Sequence, residues 1–379
     1  MPRSRATMVC VLAAVLVAGA ALGLTTRSAR VAPPHRPLAQ RVAATAGVRA
    51  GQGTRAHIAA APAANPSSSP PAPPAPLPPV ALAGCPPPAP PPGRPTPSTP
   101  WHPAVLVPEA ALPTPPPPAA RLSTTPALSG KGLWIWQLSA TEHGDVGAMI
   151  ARSTQAGLHQ LWVRVADSRD GFYAPGQLAA LVPAAHRAGL AVMGWAFPYL
   201  YDPVGDAAWT EQALGWRGPD GSRLDGFAAD IETPSEGTAL SARRATTYLG
   251  LVRPAAQGRP LVATVFPPTD SNQARIPYRP MAPYVDAFAP MMYWGCNEPG
   301  AYAQVALERL EPMAPVHLIG QAYNMADEGG RAVSPSSGEI LRFLSVARSD
   351  GALGASFWSW QGMNGDEYGA LASFPWAGG

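Results

Sequence analysis

Eight short apolar runs, separated by helix-like segments, dominate the chain from residue 130 onward. Each run is rich in β-branched or aromatic residues, as expected for parallel strands that are buried on both faces. Gly157 and Gly189 end two of the intervening segments just before a run, where glycine commonly terminates a helix. This alternation predicts an α/β protein with a (β/α)₈ TIM barrel. The runs cover residues 132–138, 159–168, 190–200, 225–233, 260–268, 285–294, 316–324 and 351–361.

A doubly wound open sheet is the other fold that alternates strands with helices. Such a sheet usually carries a glycine-rich phosphate-binding turn after its first strand. Residues 136–144 read WQLSATEHG and do not form such a turn. The pattern therefore favours the closed barrel.

The N-terminus has the features of an export signal. Arg3 and Arg5 precede an uncharged stretch of 19 residues, 6–24, with small residues at 18–20. The stretch is also just long enough to remain as a membrane anchor. Residues 1–28 are therefore predicted to be a signal peptide or a membrane anchor, and the protein to be secreted or extracytoplasmic.

A proline-rich segment separates this signal from the barrel. Proline occupies 25 of the 57 positions from 62 to 118. Such a segment cannot offset its ordering entropy with an apolar core, so residues 29–128 are predicted to be a disordered Pro/Ala-rich linker. The TIM-barrel domain then covers residues 129–379.

The charge is divided unevenly between these parts. Residues 1–128 hold 10 Lys+Arg and one acid, whereas residues 129–379 hold 17 Lys+Arg and 23 Asp+Glu, which leaves the folded part at −6 (17 − 23). An acidic folded domain argues against a nucleic-acid partner.

Three cysteines are distributed over the three parts of the chain: Cys10, Cys85 and Cys296. This distribution predicts neither a disulfide framework nor zinc-ligand spacing. Cys296 as a reactive thiol is the other reading of that residue. We expect no metal and no cofactor, and we expect a monomer.

Polar and aromatic residues gather where the predicted strands end. In a (β/α)₈ barrel the functional site lies at these ends. Because aromatic faces stack on sugar rings, the residues predict a carbohydrate site. Acidic loops that contain glycine, at 235–237 and 327–330, lie at the same rim as lids or plain turns. The predicted substrate-binding residues are Trp136, Arg164, Asp167, Trp195, Tyr199, Trp294, Gln321, Tyr323, Trp358 and Trp360.

The fourth run, DGFAADIET, places acids in an apolar strand. Side chains alternate along a strand, so Ala228, Asp230 and Glu232 face the barrel axis while Phe227 and Ile231 face the helices. Two carboxylates this close raise at least one pKa, as a general acid near neutral pH requires. The alternative is that both carboxylates are structural and hydrogen-bonded to Arg164 or to neighbouring tyrosines.

The same run resembles the D-x-x-D-x-D-x-E motif of family 18 glycoside hydrolases, the chitinase-like barrels, with Asp225, Ala228, Asp230 and Glu232 at the four positions. MMYW at 291–294 is similar to the family's M-x-Y-D motif, and GASFWSW to its tryptophan motif on the last strand. The resemblance implies that Glu232 protonates the glycosidic oxygen, that Asp230 and Tyr293 hold the substrate's acetamido group, and that Trp358 floors the sugar subsite.

Two positions depart from the family motif, because Ala228 replaces an aspartate and Trp294 stands where an aspartate is expected. Either the chemistry is altered or activity is lost. The chain is also similar to family 25 lysozymes and to an exported actinobacterial group of glycosidase-like barrels.

Other hydrolytic mechanisms make different demands on the sequence. Barrel hydrolases with two glutamates place a nucleophilic glutamate on the seventh strand, where this chain has Gln321, so Asp327 or Glu328 would have to enter from the loop. Inversion needs a second carboxylate about 6.5–9.5 Å away. The candidates for that carboxylate are Asp167, Asp202 and Asp270.

The function predicted from these features is hydrolysis of an N-acetylated polysaccharide of the cell envelope or environment, of the peptidoglycan or chitin type. The first alternative is a non-catalytic glycan-binding barrel displayed on a proline-rich stalk. The second is a metal-dependent deacetylase, for which only His143 among the histidines is placed to reach the rim.

Overall fold

The computed structural model describes residues 75–85, 102–328 and 330–376. The predicted signal or anchor segment, residues 1–28, lies outside these ranges. Within them, no helix combines the length and the apolar character that crossing a membrane requires.

The nine strands are β1 (Gly130–Ile135), β2 (Gln160–Asp167), β3 (Gly171–Phe172), β4 (Ala191–Phe197), β5 (Gly226–Asp230), β6 (Leu261–Val265), β7 (Ala287–Met292), β8 (His317–Gln321) and β9 (Gly354–Trp358). Eight of them are parallel, and β1 pairs with both β2 and β9, which closes the cylinder. β3 pairs only with β2, in the antiparallel sense. The predicted (β/α)₈ barrel is confirmed, and the open sheet is excluded.

The α-helices are α1 (Val146–Gln155), α2 (Pro175–Arg187), α3 (Pro203–Gly215), α4 (Ala242–Ala256), α5 (Asp270–Gln273), α6 (Tyr278–Met281), α7 (Pro299–Leu310), α8 (Ser337–Ser349) and α9 (Gly365–Ser373). Gly157 and Gly189 follow α1 and α2 with φ of 61° and 75°, which confirms both predicted helix stops. The β6–β7 connection contains only the four-residue helices α5 and α6. Five prolines between 266 and 284 prevent a longer helix there, because proline lacks the backbone N–H.

The barrel wall has one apolar layer on its inner side and one on its outer side. The inner layer fills the cylinder with large side chains such as Trp134, Trp162 and Met193. The outer layer packs the strands against the helices through residues such as Phe227, Phe288 and Phe357. Both layers are fully buried, so the strands have the two buried faces that their apolar composition predicts.

Part of the predicted linker contacts the barrel domain. The Arg244, Arg253 and Arg342 side chains donate hydrogen bonds to the backbone carbonyls of Val107, Ala120 and Leu77, respectively. Proline-rich chain lacks donors but keeps its carbonyl acceptors, which arginine forks satisfy well. Residues 75–85 and 102–128 therefore have defined contacts with the helices, which differs from the expectation of a disordered linker over these ranges.

A disulfide joins Cys85 to Cys296, with the two Cα atoms 5.7 Å apart. The sequence predicted no disulfide, and this expectation was wrong. The two cysteines are 211 residues apart in the chain, and only the packing of residues 75–85 beside the loop after β7 brings them together. Cys296 is therefore not a free thiol.

Candidate active site

Asp230 is the last residue of β5, and Glu232 follows two residues later, beyond the end of the strand. Ala228 belongs to the inner layer, while Phe227, Ala229 and Ile231 belong to the outer one. The same alternation continues into Asp230 and Glu232, which lie at the carboxyl end of the strand. Asp225, the first acid of the run, lies at the opposite end and accepts hydrogen bonds from the Val192 backbone and the His186 ring.

Both carboxyls of the pair have raised pKa values. Burial raises the pKa of Asp230 to about 7; Arg164 opposes this shift and Glu236 adds to it. Burial also raises the pKa of Glu232 well above its usual range, and the negative charges of Asp230, Glu236 and Glu328 raise it further. Asp230 is only 7% exposed, whereas Glu232 is partly exposed. Burial and mutual repulsion therefore favour the protonated form of both carboxyls, and Glu232 is the more exposed of the two.

Strand β6 places a hydroxyl beside the buried acid, because Thr264 pairs with Asp230 in the ladder. Within the described part of the chain, the Asp230 Oδ1 and Thr264 Oγ1 atoms are buried and neither has a hydrogen-bond partner. Unpaired buried polar atoms are uncommon, and these two keep unused hydrogen-bonding capacity within the described residues.

The cation nearest to the pair is already bound to another acid. The Arg164 Nη2 atom donates to the Asp167 Oδ2 atom at 2.8 Å, and the guanidinium lies 5.6 Å from the centre of the Trp195 ring. Asp167 also accepts hydrogen bonds from the backbone of Arg169 and Asp170. Arg164 therefore lowers the pKa of Asp230 only through the electrostatic field of its charge. Both oxygens of the Asp167 carboxylate already accept hydrogen bonds.

Four tryptophans form an aromatic cluster beneath the acids. Trp134 stacks on Trp162 with ring centres 4.8 Å apart, and Trp195 meets Trp358 edge-on at 5.4 Å. Of these, Trp358 is partly exposed and faces the mouth. Trp134 and Trp162 are not among the predicted site residues. Strand alternation indicates their inward direction, because their neighbours along β1 and β2 belong to the outer layer.

Tyrosines line the opposite wall of the mouth. The Tyr293 ring contacts Tyr323 edge-on at 5.6 Å, and the Tyr323 hydroxyl donates to Glu328 at 3.2 Å. Burial raises the pKa of Tyr293, and the charges of Asp230 and Glu232 add to that shift. Tyr199, whose pKa is also raised by burial, senses the charges of Asp167 and Glu232. Both tyrosines are thus neutral hydroxyls near the acidic pair.

Two predicted substrate-binding residues lie elsewhere. Trp294 is fully buried in the outer layer, where its Nε1 atom donates to Glu339 at 3.0 Å. Trp360 also packs in the outer layer and donates to Glu142 at 3.0 Å. Trp294 follows the inward Tyr293 and therefore points outward, and Trp360 lies beyond the end of β9, where the chain turns. The assignment of both to the sugar site was wrong.

Gln321 and Trp136 lie at the mouth in different roles. The Gln321 side chain accepts a hydrogen bond from the Gly295 backbone and donates to the Tyr323 carbonyl, so it fixes two rim loops. Trp136 is 39% exposed at the end of β1.

The acids considered for an inverting mechanism are bound elsewhere. Asp202 caps α3 through the Val204 and Gly205 backbone, and Asp270 pairs with Arg309 while 92% exposed. The acids that do influence the pair are Glu236 and Glu328, whose negative charges raise the pKa of Glu232. Both belong to the acidic rim loops that the sequence indicated only as lids or turns.

Metal ligands do not gather in the described part of the chain. No group of three His, Cys, Asp or Glu side chains there is arranged to hold a metal ion. His143 is exposed after β1.

The fold and the site together define a (β/α)₈ barrel whose carboxyl-end mouth carries a proton-holding acidic pair above tryptophans. No protein-family model matches the chain, and no curated protein sequence matches it. The solved structures similar to it include glycoside hydrolase barrels. One is the spore cortex-lytic enzyme SleL of Bacillus cereus (14% identity, 65% of this chain and 74% of that chain, TM-score 0.49).

Two further solved structures are also similar to the chain. A class V chitinase from Pseudomonas fluorescens Pf-5 shares 12% identity over 65% of this chain and 99% of its own, with a TM-score of 0.47. An endo-1,4-beta-mannanase from Rhizomucor miehei shares 8% identity over 65% of this chain and 90% of its own, also with a TM-score of 0.47.

Proposed function

We propose that this protein is an exported glycoside hydrolase that acts on an N-acetylated polysaccharide of the peptidoglycan or chitin type. The observation that carries the proposal is the pair Asp230 and Glu232, both with raised pKa values, on the inward side of β5. A protonated carboxyl that is accessible at neutral pH is the group that glycosidic bond cleavage requires.

In the proposed reaction Glu232 gives its proton to the glycosidic oxygen as the bond from that oxygen to C1 breaks. The carbonyl oxygen of the substrate's own acetamido group forms a bond to C1, so no enzyme nucleophile is required. Asp230 and Tyr293 hold the acetamido group during this step. Water then attacks C1, the bond to the carbonyl oxygen breaks, and the proton of the water returns to Glu232.

The residues around the pair support this mechanism over the alternatives. Gln321 occupies the position where a two-glutamate enzyme has its nucleophile, and its amide is committed to the rim loops. Asp202 and Asp270 are engaged away from the mouth. Trp358 offers a partly exposed ring as the floor for the sugar.

An extracytoplasmic location is part of the proposal. The Cys85–Cys296 disulfide supports it, because disulfides persist mainly in oxidising compartments. The charged and apolar pattern of residues 1–24 supports it independently.

The test is Glu232→Gln in the full chain, assayed for product release from chitin oligosaccharides, peptidoglycan and galactosaminan-type polymers. We expect a loss of about 10²–10⁴-fold in rate, because removing a general acid has effects of this size. Glu211→Gln, an exposed acid on α3, is the matched control and should retain full activity. Equal turnover by Glu232→Gln and the wild-type protein would remove Glu232 from the mechanism.

A non-catalytic glycan-binding barrel is the second candidate function. It is favoured by Ala228, which leaves no carboxyl beneath Asp230 on β5. Calorimetric titration with N-acetylated oligosaccharides, beside an overnight product assay, separates the two functions. Binding without product would establish the second.

A further inference from the structure

The connection between β6 and β7 leaves a groove on the outer face of the barrel. Where a full-length helix would cover the wall, the chain has only α5 and α6. A cavity of about 340 Å³ lies there, between the start of α4, α6 and the end of α7. Small-molecule sites typically occupy roughly 300–1,000 Å³, so the cavity has room for a short glycan segment.

The groove is basic although the folded domain is acidic. Arg275, Arg279 and Arg309 line it, together with Gln273. Arg309 is neutralised by Asp270 at 2.8 Å. Arg275 and Arg279 are exposed, and neither forms a salt bridge within the described ranges. Two uncompensated positive charges therefore face the cavity.

Apolar side chains also border the groove. Ile276, Leu310 and Met313 line it, and the Tyr278 hydroxyl is already committed to the Phe266 carbonyl at 3.0 Å. A mixed lining of guanidinium groups and apolar side chains suits a sugar ring that carries an anionic substituent better than it suits a free inorganic anion. Arginine forks bind carboxylate and phosphate groups through paired hydrogen bonds.

We propose that the groove lined by Arg275 and Arg279 is a second glycan-binding site that takes an anionic segment of a polysaccharide. The exposed rim acids at the mouth, Glu236 and Glu328, repel the same anionic groups. The groove thus holds the charged part of a polymer on the outside of the barrel, away from the acids. Binding there requires no hydrolysis at the mouth.

The experiment measures the affinity of the full chain for three oligomers of similar length: oligogalacturonate, oligomeric glycerol phosphate and a neutral chitin oligosaccharide. The variant is Arg275→Gln/Arg279→Gln. The matched control is Arg217→Gln/Arg223→Gln, which removes two exposed arginines from the loop before β5 and changes the net charge equally. Thermal unfolding of both variants checks that the fold is retained.

We expect the groove variant to bind the anionic oligomers about 10-fold more weakly, because two guanidinium contacts to the anionic groups are lost. The control variant should bind as the wild-type protein does, and binding of the neutral oligosaccharide should not change. The two anionic arms then distinguish a carboxylate from a phosphate as the preferred group. The proposal would be overturned if both double variants lost affinity for the anionic oligomers equally, or if the groove variant lost none. It would also be overturned if inorganic phosphate displaced the anionic oligomers as effectively as they displace one another.

Glu232→Gln keeps this test separate from the proposed function. The variant removes the acid at the mouth and leaves the groove unchanged, so it should bind the anionic oligomers with wild-type affinity. Failure of hydrolysis therefore leaves the groove proposal standing, and failure of the groove leaves hydrolysis standing.

Discussion

The barrel holds buried acids in two contrasting environments. On the outer side of the wall, Glu339 is 1% exposed and accepts hydrogen bonds from Arg331 at 2.9 Å and Trp294 at 3.0 Å. Burial alone would raise its pKa, but the bonds from Arg331 and Trp294 outweigh burial and lower it. At the mouth, burial raises the pKa of Asp230 and of Glu232, and the nearest cation, Arg164, is bound to Asp167.

The two environments differ in whether a cation is hydrogen-bonded to the acid. A buried carboxylate with a full set of donors stays ionised and fixes the packing around it. A carboxyl pair without such donors retains protons and can deliver one to a bound substrate. Burial alone does not distinguish the two environments, whereas the partners do.

The largest expected effect tests the structural side of this comparison. Glu339→Gln leaves the buried Arg331 without its counter-charge, which should lower the free energy of unfolding by about 3–5 kcal/mol at pH 7. Urea unfolding measures the loss. Glu109→Gln, which affects a half-exposed pair with Arg244 at 3.7 Å, should cost less than about 1 kcal/mol.

The same unfolding experiment on Glu232→Gln should give the opposite result. That substitution removes a carboxyl that burial disfavours, so stability at pH 7 should be equal or higher. A destabilisation of Glu232→Gln as large as that of Glu339→Gln would erase the distinction between the two environments.

The pH dependence of stability sharpens the comparison, because the two environments have opposite signs. Folding raises the pKa of Asp230 from an unfolded value near 4 to about 7, so the folded state binds more protons and stability falls as pH rises through this range. Folding lowers the pKa of Glu339, so its contribution is present at neutral pH and is lost as pH falls below about 4.

Asp230→Asn and Glu339→Gln should therefore diverge in a pH series of urea unfolding curves. Asp230→Asn should gain stability over the wild-type protein at pH 8, and the gain should vanish near pH 4. The deficit of Glu339→Gln should be largest at pH 8 and shrink below pH 4. Parallel profiles for the two variants would contradict the assignment of the shifts.

The fold and half of the site follow from local sequence patterns. The eight apolar runs and the glycine stops at 157 and 189 are signals within a few residues, and strand alternation alone placed Ala228 inside and Ile231 outside. The same alternation, continued just past the end of β7, points Tyr293 into the barrel and Trp294 outward. The prediction that both residues belong to the site is at odds with this alternation, which directs only Tyr293 inward.

The remaining features depend on contacts between distant parts of the chain. The Cys85–Cys296 disulfide needs residues 75–85 to pack beside the loop after β7, which no pattern within the proline-rich segment indicates. The pairing of Arg164 with Asp167 rather than with Asp230 is likewise a matter of side-chain geometry. Such partners decide whether an acid is structural or functional, and they are least visible in the sequence.

The smallest expected effect concerns Thr264, the cross-strand neighbour of Asp230. Its hydroxyl and the Asp230 Oδ1 atom are both buried, and each lacks a partner within the described residues. Thr264→Val keeps the volume and should change stability by no more than about 1 kcal/mol. On the proposed function, the Thr264 hydroxyl donates to Asp230 once that carboxyl ionises. Without the hydroxyl the pKa of the pair rises, and the basic limb of the pH–rate profile moves to higher pH.

The matched variant Thr264→Ser keeps the hydroxyl and should restore the wild-type limb, which a purely steric role of Thr264 would not do. If the Thr264→Val profile coincides with that of the wild-type protein, Thr264 does not act on Asp230. The acidic pair would then be tuned by burial and by the rim acids Glu236 and Glu328 alone. In that case the two environments would differ in their hydrogen-bond donors and in the charges of the rim acids. No hydroxyl at the mouth would contribute to the pKa values of its acids.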